Sequence, residues 1–162
     1  RALLTKFQQP VLVETFLPGR EFTVGITGTG GDASVLGVSE IVPKSNWVGD
    51  GYGLANKDTG WEDKVEIVGA DPLSATAAGD VALAAWRALR CRDGGRVDIR
   101  NDAHGKAHFI EVNPLAGLRP GHSDMCFIAE REGFSHQQLI GKIMTSFLKR
   151  YPQLQARARI AA

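Results

Sequence analysis

The sequence predicts an α+β protein: an antiparallel sheet flanked by helices, with the helices expected to cover one face of it. Three observations carry that expectation. Short β-branched runs cluster along the chain. The connections between them are of hairpin type and rich in Gly. Segments of helical periodicity flank the strands rather than alternating with them one by one. The 162 residues suit one domain, taken as residues 1–162, and no internal repeat is present.

Taken in order, residues 1–7, RALLTKF, read as the end of a helix. The chain opens on Arg and runs almost at once into a strand, so a piece of a longer polypeptide is expected. Residues 11–16, VLVETF, bounded by Pro10 and LPGR, are expected to form a strand. Residues 20–30 and 33–42 form two more, joined by the Gly-rich turn GTGGD. Residues 43–64 make a polar, Gly-rich loop of a length usually reserved for function or disorder. Residues 65–69, VEIVG, are a short strand. Residues 71–91 are the best helix: Asp71 caps it, Pro72 takes the first turn, and Val81, Ala84, Ala85 and Leu89 supply its apolar spacing. RVDIRND and AHFIEVN pair as a hairpin. Residues 125–133 are a helix ending at Gly133, with Ser123-Asp124 as its start signal. Residues 135–151 are a helix capped by Ser135, with Leu139, Ile143 and Phe147 as its stripe, and the tail beyond is helical or frayed.

Composition removes several function classes. A net charge of +1 with dispersed basic residues leaves no footprint for nucleic acid. No apolar run approaches the ~20 residues of a membrane span. The opening residues lack the pattern of a signal peptide, and two cysteines make neither a disulfide scaffold nor a zinc site, so a cytoplasmic protein is expected.

The hairpin carries the chemistry. Alternation puts Val97 and Ile99 on one face and Arg96, Asp98 and Arg100 on the other; Phe109, Glu111 and Asn113 share a face of the second strand. A turn near His104 and Gly105 sets Asp98 opposite Glu111, and opposed carboxylates repel across a strand pair. Two readings compensate for this. One is a solvated polar face balanced by Arg96. The other is a hard cation such as Mg2+, which takes one or two carboxylates with phosphates and water, with Asn113 adding an amide oxygen.

Other motifs are weaker alone. Glu14 and Phe16 share a face just before Pro18-Gly19, and Glu21 follows; a carboxylate near a strand end can accept from a ribose hydroxyl. Lys57 in the long loop can reach phosphates as a point charge. The loop NPLAGLRPGHSDM offers backbone N–H groups with Arg119 and Ser123 as donors for an oxyanion or carboxylate. The four histidines are scattered and form no nucleophile–His–Asp set.

Together, VLVETFLPGREFTV, ALRCRDGGRVDIRNDAHGKAHFIEVNPLAG and GHSDM…AEREGFSHQQLIGKI resemble the D-alanine–D-alanine ligase family of the ATP-grasp superfamily, in its C-terminal part. The resemblance implies that Glu14, Phe16 and Leu17 line an adenine site, Glu21 binds ribose, and Lys57 reaches the phosphates. It implies that Asp98, Glu111 and Asn113 hold two Mg2+ ions (or Mn2+) and that Arg96 and Gly117 stabilise a tetrahedral intermediate. Ser123 would bind the carboxylate of the second amino acid. It further implies ATP-dependent ligation through an acylphosphate, in the cytoplasm and in peptidoglycan synthesis, with amino acids as substrates. The loop Pro114-Leu115-Ala116-Gly117-Leu118-Arg119-Pro120 departs from the family's Thr-containing pattern, so the acceptor stays open. The N-terminal substrate domain and central phosphate-binding subdomain are absent from these residues, so the isolated chain is expected to be inactive. Its exposed apolar surface is expected to meet the missing N-terminal part or a second copy as a homodimer. The competing expectation is a non-catalytic fragment that binds a nucleotide or a partner.

Overall fold

The protein is described by a computed structural model over residues 1–44 and 65–154. In chain order the elements are α1 (Ala2–Phe7), β1 (Glu21–Thr27), a 3-10 turn (Gly30–Asp32), β2 (Ser34–Pro43), β3 (Val65–Gly69), α2 (Pro72–Ala88), β4 (Gly94–Asn101), β5 (Ala107–Asn113), α3 (Asp124–Arg131) and α4 (His136–Arg150). The strands form one sheet in the order β3-β2-β1-β4-β5, antiparallel throughout. Lys57, with most of the long loop around it, and the tail beyond 154 lie outside the described residues.

Helices cover both faces of the sheet, not one. On the first face, Ala78, Ala82 and Trp86 of α2 pack on Phe22, Val24, Ile26, Val97 and Ile99. On the second, α3 and α4 pack through Met125, Cys126, Ile128, Ala129 and Leu139. Gly25 and Gly37 are cross-strand partners, and a Cβ on either would meet Ile128, at 3.2 and 2.9 Å. The missing side chains let α3 approach. Strand β1 is therefore buried along almost its whole length on both sides, which a single polar-out alternation does not anticipate.

Local signals hold at the helix starts. Asp71 accepts the Ser74 N–H at 3.0 Å, with Pro72 beginning α2. Ser135 and Gln138 form a full capping box on α4. Two expectations fail. The buried face of α2 is Ala78, Gly79, Ala82 and Trp86, whereas Ala84 and Leu89 are exposed; the bulk of Trp86, bonded through Nε1 to the Gly28 carbonyl at 3.1 Å, sets the rotation of the helix. Residues 11–16 are not a strand: no described strand pairs with them, and Leu12 and Val13 stand 80% and 87% exposed. Their β propensity has no sheet edge to act on. Among the described residues no helix is long and apolar enough to cross a membrane.

Candidate functional site

The hairpin register brings the acids together. Asp98 pairs with Glu111 and Arg96 with Asn113, while Thr23 of β1 pairs with Asp98 from the other side. A bulge between Asp98 and Ile99 puts Phe109 opposite Ile99 and leaves Ile110 as the extra residue. This corrects the simple alternation that grouped Phe109 with Glu111: Ile110 lines the acid cavity instead. That cavity, about 180 Å³, is bounded by Glu21, Ile41, Arg96, Asp98, Ile110, Glu111 and Asp124. A larger one of about 520 Å³ lies between the β1–β2 turn and α4, away from the acids.

Every oxygen of Asp98 is engaged. Arg96 donates from Nε and Nη2 to its two oxygens at 3.0 and 3.1 Å, Thr23 Oγ1 donates at 3.0 Å, and Asn113 Nδ2 donates at 3.3 Å. Asn113 Nδ2 also donates to Glu111 Oε1 at 3.2 Å. The Arg96 Nη1 donates to Asp124 at the start of α3. Burial pushes the Asp98 carboxyl above its ordinary range and Glu111 adds to the push, although Arg96 and Thr23 pull the other way. Burial works against the Arg96 cation, but Asp98, Asp124 and Glu111 more than offset it, so its pKa is raised. One guanidinium thus faces three carboxylates.

A bound cation would relieve that imbalance. The donors around Asp98 occupy positions a hard cation would take, and a half-turn of the Asn113 amide presents its oxygen instead of its nitrogen. Among the described residues no three His, Cys, Asp or Glu side chains converge as a metal-holding group. Asp98, Glu111 and Asn113 are the residues that could supply part of a ligand set for a hard cation, which Mg2+ completes with phosphates and water.

The other expected residues are distributed around this centre. Glu21 lines the cavity and pairs with Arg100 at 3.4 Å. Gly117 lies against Ser123: a Cβ at Gly117 would stand 2.7 Å from the Ser123 hydroxyl oxygen. Ser123 occupies the N-cap position of α3, yet its side chain makes no capping bond and accepts the Arg119 N–H at 3.0 Å. The carbonyl of Leu118 is tied to His136 Nε2 of α4 at 2.9 Å, which anchors the loop. Glu14, Phe16 and Leu17 precede the sheet and do not line the acid cavity; Phe16 is 60% exposed with the Arg100 guanidinium 5.7 Å from its ring. Sequence reasoning missed Asp124 and Thr23 as site residues. An acid in the first turn of a helix was a visible signal for the former, but it read as a helix-start feature. Nothing local marks a Thr in a neighbouring strand.

Comparison with known proteins identifies a family and a fold. The family model described as D-ala D-ala ligase C-terminus matches residues 2–145. A D-alanine–D-alanine ligase of Bordetella petrii is 36% identical over 146 residues, covering 89% of this chain and 43% of that protein. Two solved structures share the fold. The D-alanine–D-alanine ligase of Bacillus anthracis complexed with ATP has a TM-score of 0.69 at 21% identity, covering 94% of this chain and 48% of that one. The VanG D-Ala:D-Ser ligase of Enterococcus faecalis has a TM-score of 0.64 at 24% identity, covering 83% and 38%. The chain spans less than half the length of these relatives.

Proposed function

The chain belongs to the D-ala D-ala ligase C-terminus family, and on that premise we propose that it supplies the ATP- and Mg2+-binding half of an ATP-dependent carboxylate–amine ligase. The observation that carries the reading is the in-register pair Asp98–Glu111 with Asn113 beside it, short of positive charge. These three residues would hold the divalent cations, two in the full arrangement. Bound there, the metal neutralises charge on the transferring phosphoryl group.

In this reading a substrate carboxylate takes the terminal phosphoryl of ATP, releasing ADP, and the amine of a second amino acid attacks the acylphosphate carbonyl, forming the amide and expelling inorganic phosphate as the amine loses a proton. Arg96 places its charge beside the acids, where negative charge develops. Gly117 is assigned the backbone N–H that meets the oxyanion. Ser123 accepts from Arg119 and keeps its own O–H to donate to the acceptor's carboxylate. Glu14, Phe16 and Leu17 are assigned to adenine, Glu21 to ribose and Lys57 to the phosphates. The exposed Leu3, Leu4, Phe7, Leu12 and Val13 suit a surface covered by the rest of a longer polypeptide or by a second copy.

A non-catalytic nucleotide- or partner-binding module is the competing reading. Assay of the intact protein for ADP release across a panel of amino acids separates the two. Amino-acid-dependent turnover is expected; its absence, with nucleotide binding retained, sinks the ligase reading and leaves the module.

A further inference from the structure

Arg96 divides its guanidinium between two carboxylates on different elements. The Nε–Nη2 edge grips both oxygens of Asp98 on its own strand, at 3.0 and 3.1 Å. The remaining Nη1 reaches Asp124, the first residue of α3. A cation that takes the Asp98 oxygens from the side of Arg96 displaces the first edge, because both cations then seek the same lone pairs. The second contact need not break. Asp124 is 13% exposed at its side chain, and α3 is fixed on the sheet by Met125, Cys126 and Ile128, each 1% exposed. Asp124 does not converge with Asp98 and Glu111 as a ligand group. Its carboxylate pairs with the guanidinium, and Ser123 immediately precedes it.

We propose that Asp124 is a positioning residue for Arg96: it retains the guanidinium in the site when a divalent cation takes Asp98, freeing the Nε–Nη2 edge for the anionic oxygen of the reacting group. The inference deepens the cation-dependent ligase reading above and rests on it. Without the tether, Arg96 competes undivided for Asp98 and opposes the cation.

The test is Mn2+ binding to the intact protein, followed by electron paramagnetic resonance of the free ion, in a double-mutant cycle of Asp124→Asn and Arg96→Gln. Asp124→Asn is expected to weaken Mn2+ binding about tenfold when Arg96 is present, the scale at which outer-shell partners act. It is expected to change little in the Arg96→Gln background, and Asp124→Glu should restore most of the affinity. In turnover at saturating divalent cation, Asp124→Asn should lower kcat and leave the KM for ATP unchanged. Equal weakening in both backgrounds would mean that Asp124 acts on the cation directly, and no weakening in either would mean that Arg96 is held without it; each result overturns the inference alone. Failure of the unsubstituted protein to bind Mn2+ overturns the cation reading and this inference together. If Asp124→Asn does not fold by circular dichroism, Asp124→Ser carries the same comparison.

Discussion

Glu111→Gln distinguishes a cation site from a solvated polar face, because the structure assigns the side chain almost no structural work. Glu111 is exposed, and it accepts a hydrogen bond from Asn113 Nδ2 at 3.2 Å, which a glutamine oxygen can also accept. The substitution removes a carboxylate facing Asp98 directly across the strand pair, and with it one of the contributions that raise the Asp98 pKa. Losing that repulsion is mildly favourable. Folding stability should therefore stay within about 0.5 kcal/mol of the parent, as for an exposed residue outside a packed network. Cation affinity should fall by at least about tenfold, since even second-layer partners of a metal site act at that scale. The two quantities are read by urea unfolding and by Mn2+ titration of the intact protein. An unchanged Mn2+ affinity beside an unchanged urea midpoint would refute the reasoning: the acids would then be a polar face balanced by Arg96.

Three further outcomes are expected. Gly95→Ala should destabilise by about 1–3 kcal/mol, the range for overpacking. The new Cβ would stand 2.6 Å from the Asn113 carbonyl oxygen and 2.8 Å from the Trp86 ring, which is pinned to the Gly28 carbonyl; urea midpoints measure the loss. Ser135→Ala should lower stability by about 1 kcal/mol through loss of the capping box on α4, read as a fall in melting temperature. Acid should weaken the fold through two carboxyls held down to about 2 from 3.8: Asp71, chiefly by the Ser74 N–H, and Asp102, chiefly by the Lys106 N–H. Both pKa values are depressed on folding, so their contribution is complete above 3.8 and is lost as pH falls through about 2. The Asp71→Asn, Asp102→Asn double variant keeps hydrogen-bond acceptors that do not titrate, and should lose stability less steeply over that window in circular dichroism.

Where sequence and structure agree, the determining interactions are short in range. A two-residue period and a turn a few residues long suffice to place Asp98 opposite Glu111, and that pairing is observed. Asp71-Pro72 and Ser135 with Gln138 start their helices through groups at most three residues apart. Disagreement begins where a second element decides. VLVETF has the composition of a strand but no described partner, and the apolar spacing in α2 was consistent with more than one buried face until Trp86 found its place beneath β1 and β4. The bulge after Asp98 interrupts alternation for one residue and changes which side chain, Phe109 or Ile110, meets the acids.

By itself, then, the sequence determined the acids, their mutual register and the amide beside them, because alternation along a short hairpin is a property of the backbone. Only the tertiary structure decided their electrostatic setting. Thr23 comes from β1, 75 residues before Asp98, and Asp124 comes 28 residues after Arg96, on a helix whose approach depends on bare backbone at Gly25 and Gly37. Such contacts are set by how separate elements pack, and packing across those distances leaves no period in the chain. A hairpin with two opposed carboxylates was legible; that Arg96 is shared with a third carboxylate, from the helix that follows the loop 114–123, was not.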